Sequence, residues 1–75
     1  MFDYDTGTGV IRAYGAIGPY EDGIDEMMFM EAFDALGGAD VSIKLKSPGG
    51  SVDSGQSIYN QIDNYPGRVA VHIDA

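Results

Sequence analysis

The stretch from Asp40 to Tyr65, DVSIKLKSPGGSVDSGQSIYNQIDNY, constrains the fold more than any other part of the chain. In its first part apolar and polar residues alternate, which is the spacing of a strand with one apolar face: Val41, Ile43 and Leu45. The turn Ser47-Pro48-Gly49-Gly50 ends this strand, and apolar residues then return at helical spacing. Ser51 or Asp53 can cap the start of the helix. The stretch therefore predicts a strand, a tight turn and a helix in direct succession.

Similar segments flank this stretch on both sides. Val10 to Tyr14 is predicted to be a strand, about Ile24 to Leu36 a helix, and Val69 to Ile73 a further strand. Crossovers of this length imply parallel strands joined by right-handed connections. The sequence therefore predicts an α/β fold, a partial parallel sheet with two helices. The polar residues 1–9 are predicted to be a flexible lead-in to one small domain over 10–75.

The first predicted helix is more apolar than a surface helix needs to be. Aromatic and methionine side chains extend its apolar surface beyond one stripe. Two interpretations remain open, a helix buried in the core of its own chain or a contact surface between subunits, where methionine adapts to an irregular partner. The candidate contact residues are Met27, Met28, Phe29, Met30 and Phe33.

Composition excludes several classes of function. The 75 residues contain no cysteine and one histidine, which excludes a disulfide framework, a thiolate site and a histidine-rich metal site. The net charge of −8 repels phosphate backbones and anionic lipids, so neither nucleic acid nor a membrane surface is a predicted partner. Because no signal peptide and no apolar run of membrane-spanning length is present, we predict a cytoplasmic protein without a cofactor or metal.

The turn over 47–50 is the best candidate for a functional site. It follows a strand and opens a helix, and ligands of open α/β sheets bind at such carboxyl ends of strands. The bare amides at the start of a helix also suit a developing oxyanion. The spacing of its glycines matches neither a P-loop nor a dinucleotide-binding fingerprint. An ordinary tight turn remains the alternative.

Spacing alone selects no Ser-His-Asp triad. His72 is the one candidate base, and several serines could serve as the nucleophile: Ser47, Ser51, Ser54 and Ser57. We predict that His72 is a strand residue with a local hydrogen-bond partner. The acidic pairs Glu21/Asp22 and Asp25/Glu26 are predicted to be a solvated helix cap, with no second cluster to form a metal site.

The run from Ile43 to Val52, IKLKSPGGSV, followed by Gly55 and by Ser57-Ile58-Tyr59-Asn60, resembles the proteolytic subunit of the Clp protease. The similarity is greatest to the ClpP-like peptidases of phage head maturation. It extends through Tyr14 to Gly18 and Leu36 to Val41, and covers Val10 to Ala75. The resemblance implies a ClpP/crotonase fold of repeated strand-turn-helix units and assembly into homo-oligomeric rings.

The resemblance also implies roles for particular residues. It places the amide of Gly50 in the oxyanion hole of a serine endopeptidase. The segment Gly49, Gly50, Ser51 and Val52 would pair with an extended substrate backbone, which is a form of strand addition. The helix over 24–36 would lie at subunit contacts. The implied partners are peptide or protein substrates and, further, an ATPase or phage capsid proteins.

In the family that this chain resembles, the nucleophile follows the strand matching Val69 to Asp74, and the catalytic histidine and aspartate come later. We therefore expect the 75 residues to be an amino-terminal portion of such a peptidase, without its triad and inactive alone. One alternative is a non-catalytic module that keeps the fold for assembly or peptide binding. Another is a crotonase-superfamily enzyme acting on acyl thioesters, but the combination of SPGG with Ile58-Tyr59-Asn60 favours the peptidase.

Overall fold

A computed structural model describes residues 1–74, and Ala75, the last residue of the predicted domain, lies outside them. The elements are β1 (Phe2–Asp5), β2 (Val10–Tyr14), α1 (Glu26–Leu36), β3 (Val41–Lys46), α2 (Val52–Asn64) and β4 (Val69–Ile73). The four strands form one sheet in the order β1-β2-β3-β4. The pairs β2–β3 and β3–β4 are parallel, whereas β1 is antiparallel to β2. The predicted α/β class with a partial sheet and two helices is confirmed, and the sheet is mixed.

Strand β1 corrects the prediction of a flexible lead-in. Residues 2–5 pair with β2 through a tight turn, in which the Gly9 amide donates to the Asp5 carbonyl oxygen at 2.9 Å. The Asp5 carboxylate accepts a further hydrogen bond from the Gly7 amide at 2.8 Å. Phe2 and Tyr4 pack against the core, so β1 has an apolar face. The prediction missed this strand because its other two residues are aspartates, which are depleted in strands.

The core lies between the helices and one face of the sheet. The register aligns Ile11 with Ile43, and both side chains are fully buried. The remaining buried apolar residues come from the strands, from both helices and from the loop before α1: Ala13, Ile24, Phe29, Ala32, Phe33, Leu36, Val41 and Ile58. On the opposite face of the sheet, Arg12, Lys44 and His72 lie side by side and are exposed. The sheet therefore has helices on one face only within residues 1–74.

Helix α1 begins two residues later than predicted. Asp25 is its N-cap and accepts a hydrogen bond from the Met28 amide at 3.0 Å, while Gly37 ends the helix with φ 60°. Phe29 and Phe33 are buried in the chain's own core, which corrects their assignment to a subunit contact. The exposed methionines of the helix are Met27 and Met30, and Met28 is half-buried. The candidate contact residues that remain accessible on α1 are therefore Met27, Met28 and Met30.

Tyr65 joins the end of α2 to the loop between α1 and β3. Its hydroxyl donates to the Ala39 carbonyl oxygen at 2.6 Å and accepts from the Gly38 amide at 3.0 Å. Its ring lies 4.8 Å from the ring of Phe33, measured between centroids. The hydroxyl and the ring together secure this loop against the core.

We expect the Tyr65→Phe substitution to lower the free energy of unfolding by about 1–2 kcal/mol, because it leaves the partly buried Gly38 amide without its partner. Urea unfolding followed by circular dichroism measures the change. Tyr59→Phe is the matched control, since the Tyr59 side chain is exposed on α2 and its loss of a hydroxyl should have no effect. Equal losses in the two variants would contradict the role assigned to the Tyr65 hydroxyl.

Candidate functional site

The loop between β2 and α1 meets the turn over 47–50 at Ile17. The Ile17 amide donates to the Gly49 carbonyl oxygen at 3.0 Å, and the Ser51 amide donates to the Ile17 carbonyl oxygen at 2.7 Å. These two bonds form an isolated parallel bridge between Ile17 and Gly50. A second bridge joins Ile17 to Ile24, just before α1. Ile17 therefore fixes the conformation of the turn relative to the first helix.

Gly50 could not be another residue in this arrangement. Its φ is +153°, and a Cβ built on it would lie 1.8 Å from the Ile17 carbonyl oxygen. The Gly49 carbonyl and the Ser51 amide form the hydrogen bonds with Ile17. Because successive residues of an extended backbone face opposite sides, the amide and carbonyl of Gly50 point away from Ile17. Neither group hydrogen-bonds to another residue within 1–74. The turn therefore offers one free backbone donor and one free acceptor to solvent.

Two of the other residues in the predicted substrate-binding segment already use polar groups in hydrogen bonds within the chain. The Gly49 amide donates to the Ser47 hydroxyl at 3.1 Å. The Ser51 hydroxyl is the N-cap of α2 and accepts from the Ser54 amide at 3.3 Å. Val52 begins the helix and has an exposed side chain. Within the segment, the edge available for pairing with another backbone is therefore centred on Gly50.

A shallow cavity of about 460 Å³ lies beside the turn, at the carboxyl ends of β2, β3 and β4. It is lined by Tyr14, Gly15, Lys46, Ser47, Pro48 and Asp74. This is the edge of the sheet at which open α/β folds bind their ligands.

The serines and His72 do not form a triad within the part of the chain that the structure describes. His72 lies on β4 beside Lys44 and is exposed. The Ser47 hydroxyl donates to the Gly49 carbonyl oxygen at 3.2 Å, and the Ser51 hydroxyl caps α2. No hydrogen bond joins His72 to a serine or a carboxylate among residues 1–74. Among the same residues, no group of three or more acidic or histidine side chains is arranged to hold a metal ion.

Within the described residues 1–74, the charged face of the sheet contains one ion pair. The Arg12 guanidinium lies 2.8 Å from the Asp3 carboxylate, and the two residues are directly opposite each other on β2 and β1. The hydrogen bond and the negative charge of Asp3 raise the pKa of Arg12. Because both side chains are about half exposed, solvent and salt screen this pair. The ion pair joins β1 to β2 and lies away from the turn over 47–50.

The family model of the Clp protease matches residues 18–73, which include the turn, both helices and the strands β3 and β4. The chain belongs to the Clp protease family. Members of this family are homo-oligomeric and act on peptide or protein substrates. The resemblance expected from the SPGG turn is thus confirmed at the level of the family. A search of curated proteins finds no match to the chain.

Sequence reasoning missed Ile17 as a residue of the site in this Clp protease family member. A signal was present, since Ile17 is the one large apolar residue between Gly15 and Gly18. Both glycines have positive φ, which shapes the loop so that Ile17 reaches the turn. No helix within residues 1–74 is both long enough and apolar enough to cross a membrane.

Proposed function

We propose that this chain carries the part of a Clp-type serine endopeptidase that binds an extended peptide and stabilises the oxyanion. The single observation that carries the proposal is the orientation of Gly50, whose amide and carbonyl point away from Ile17 and remain unpaired within residues 1–74. A peptide that adds as a strand needs such a donor and acceptor on one residue. A carbonyl oxygen that gains negative charge needs a donor amide fixed in advance.

The hydrogen bonds of Ile17 make this donor suitable for catalysis. Two bonds, at 3.0 and 2.7 Å, hold the residues on either side of Gly50 before any substrate binds. A donor that is already oriented requires little reorganisation when charge develops on the substrate. Because Gly50 has no side chain, the backbone of a substrate can approach the amide closely. Membership of a family that acts on peptides supports this reading of the turn.

A second candidate function is a non-catalytic peptide-binding module with the same fold. The observation that favours it is that the amide and carbonyl of Gly50, unpaired within residues 1–74, can bind a peptide backbone without any nucleophile. Both candidates use Gly50 to bind a peptide, and only the endopeptidase breaks a bond. For either function we propose that copies of the chain assemble through the methionines of α1, of which Met27 is 61% and Met30 44% exposed.

Nuclear magnetic resonance can test the peptide site directly. We expect a soluble, unstructured, uncharged peptide with apolar residues at its centre to shift the amide resonance of Gly50 more than that of Gly55 on α2, because only Gly50 lies on the free edge. The matched control is the same peptide with methylated backbone nitrogens, which cannot pair as a strand. Equal shifts with both peptides, or shifts confined to other residues, would contradict the proposal.

Hydrolysis of the same peptide identifies only one of the two candidate functions. Cleavage, detected by mass spectrometry and abolished by a serine-directed phosphonate, would identify the endopeptidase. Binding at Gly50 without cleavage by the 75-residue chain is compatible with both candidates, because a chain that carries only the peptide-binding part of an endopeptidase is expected to be inactive alone.

A further inference from the structure

Tyr20, in the loop between β2 and α1, lies beside the predicted substrate-binding segment over 49–52. Its surface is 53% exposed, yet its ring packs against Gly18. Exposed aromatic side chains with a fixed position are frequent anchors of binding sites, because they offer a large contact area at a low entropic cost. We propose that Tyr20 is a specificity-determining residue, which selects an aromatic side chain at the peptide residue opposite Ser51. The proposal rests on the proposed function, since it takes Gly50 as the place where the peptide pairs.

The bridge between Ile17 and Gly50 determines which residues share a face beside this segment. Because the bridge is parallel, the next residues along the two backbones, Gly18 and Ser51, are also neighbours. A Cβ built on Gly18 would lie 3.2 Å from the Cβ of Ser51. The side-chain direction of Gly18 and the side chain of Ser51 therefore lie on the same face.

The ring of Tyr20 occupies the space that a side chain at residue 18 would need. The Cβ built on Gly18 would lie 2.7 Å from Cε2 and 3.1 Å from Cζ of Tyr20. Taken together, the distances of 2.7 and 3.2 Å place Cε2 of Tyr20 at most about 6 Å from the Cβ of Ser51. The absence of a side chain at Gly18 thus allows the aromatic ring to lie next to the segment that pairs with the peptide.

Hydrogen bonds of the loop fix the backbone of Tyr20. Its amide donates to the Gly18 carbonyl oxygen at 2.9 Å, and its own carbonyl oxygen accepts from the Gly23 amide at 3.0 Å. Both glycines are buried, and a Cβ built on Gly23 would lie 2.3 Å from the Gly18 carbonyl oxygen. Pro19 restricts the loop further, because its ring fixes φ. The loop therefore has little conformational freedom to lose when a peptide binds.

A peptide that pairs with Gly50 would direct one side chain toward this ring. The peptide residue opposite Ser51 would have its Cβ about 4.5–5.5 Å from the Ser51 Cβ, on the same face. Ser51 is small and extended, and its hydroxyl is used to cap α2. An aromatic side chain is long enough to lie over Ser51 and meet the ring of Tyr20, at the centroid separations of about 4.5–7 Å typical of aromatic pairs. The methyl group of an alanine is too short to make this contact.

Two peptides that differ in one side chain test the proposal. Both are uncharged, soluble and unstructured, and the central residue is phenylalanine in one and alanine in the other. We expect the 75-residue chain to bind the phenylalanine peptide at least about threefold more tightly, because an aromatic pair adds to the burial of apolar surface. Titration followed at the amide resonance of Gly50 measures both dissociation constants.

Tyr20→Ala should abolish this preference. The affinity for the phenylalanine peptide should fall to that for the alanine peptide, while the affinity for the alanine peptide should not change. Tyr20→Phe should keep the preference, because the ring makes the contact. Tyr59→Ala is the matched control, since it removes an exposed tyrosine from α2, and it should also keep the preference. Circular dichroism verifies that each variant is folded.

Nuclear Overhauser contacts supply a measurement that needs no variant. In the wild-type chain, we expect contacts between the ring protons of Tyr20 and those of the peptide phenylalanine. Their absence from a complex that shifts Gly50 would overturn the inference even if Tyr20→Ala does not fold.

The outcomes distinguish this inference from the proposed function. If neither peptide shifts the Gly50 amide, the proposed function is wrong and the inference with it. If both peptides shift Gly50 with equal affinity, the inference alone is wrong. A preference that persists in folded Tyr20→Ala would also overturn it, as would an equal weakening of both peptides, which would assign Tyr20 a purely structural role.

Discussion

Replacement of Gly50 by alanine is expected to lower the free energy of unfolding by about 2–4 kcal/mol, since backbone strain and lost hydrogen bonds each contribute. The new Cβ would lie 1.8 Å from the Ile17 carbonyl oxygen, an atom that cannot move without displacing the loop. The two hydrogen bonds between Ile17 and the turn would therefore open. The oriented amide of Gly50 would be lost with them, so peptide binding should decrease as well.

Gly55 provides the matched control for this substitution. It lies within α2, and a Cβ added there meets no atom within 4 Å. Gly55→Ala should therefore stabilise the protein by about 0.5–1 kcal/mol, because alanine restricts the unfolded chain and favours the helix. Urea unfolding of both variants measures the contrast. If Gly50→Ala were as stable as Gly55→Ala, the bridge between Ile17 and Gly50 would not have the importance assigned to it.

Phe29→Ala is expected to remove about 3–5 kcal/mol of stability, the range for deletion of a buried phenylalanine. Only 2% of the Phe29 surface is exposed, and its ring meets that of Phe2 edge-on with centroids 5.1 Å apart. It also lies 6.0 Å from the ring of Phe33. Because the total stability of small domains is about 5–15 kcal/mol, a loss of this size would leave a large fraction of the molecules unfolded.

Met27→Ala on the same helix is the control for Phe29→Ala. Its side chain is 61% exposed in the single chain, so at protein concentrations too low for assembly the change in the free energy of unfolding should stay within about 0.5 kcal/mol. Circular dichroism across a urea series distinguishes the two variants. A similar loss in both would mean that Met27 is covered in solution, for example at a subunit contact. A small loss for Phe29→Ala would contradict the core described for this helix.

Local patterns in the sequence predicted most of the fold. Alternation identified β3 and β4, the short run ended by Gly15 identified β2, and helical spacing identified α1 and α2. The two periodic patterns each reflect one apolar face packed on the core. The start of α1 was predicted too early because Ile24 fits the helical pattern. It is instead buried in the loop, where it bridges Ile17 and precedes the Asp25 cap.

The candidate site was predicted less completely, because it depends on a contact between distant parts of the chain. Ile17 and Gly50 are 33 positions apart (50 − 17), and no local pattern reports such a contact. From the turn alone, an oxyanion site and an ordinary chain reversal were both open. The resemblance to the Clp protease suggested Gly50 as the oxyanion donor, which stays a prediction, and the bridge to Ile17 shows that the Gly50 amide points away from Ile17.

The strands lie in the sheet in the same order as they occur along the chain, and this has a consequence for how the protein folds. The β1–β2 hairpin closes through a short turn, so it can form in microseconds. Strand β3 then adds to an edge that already exists, and β4 adds to the edge that β3 creates. Among the four strands of residues 1–74, none has to be inserted between two others. A chain that emerges from the ribosome can therefore extend its sheet one strand at a time.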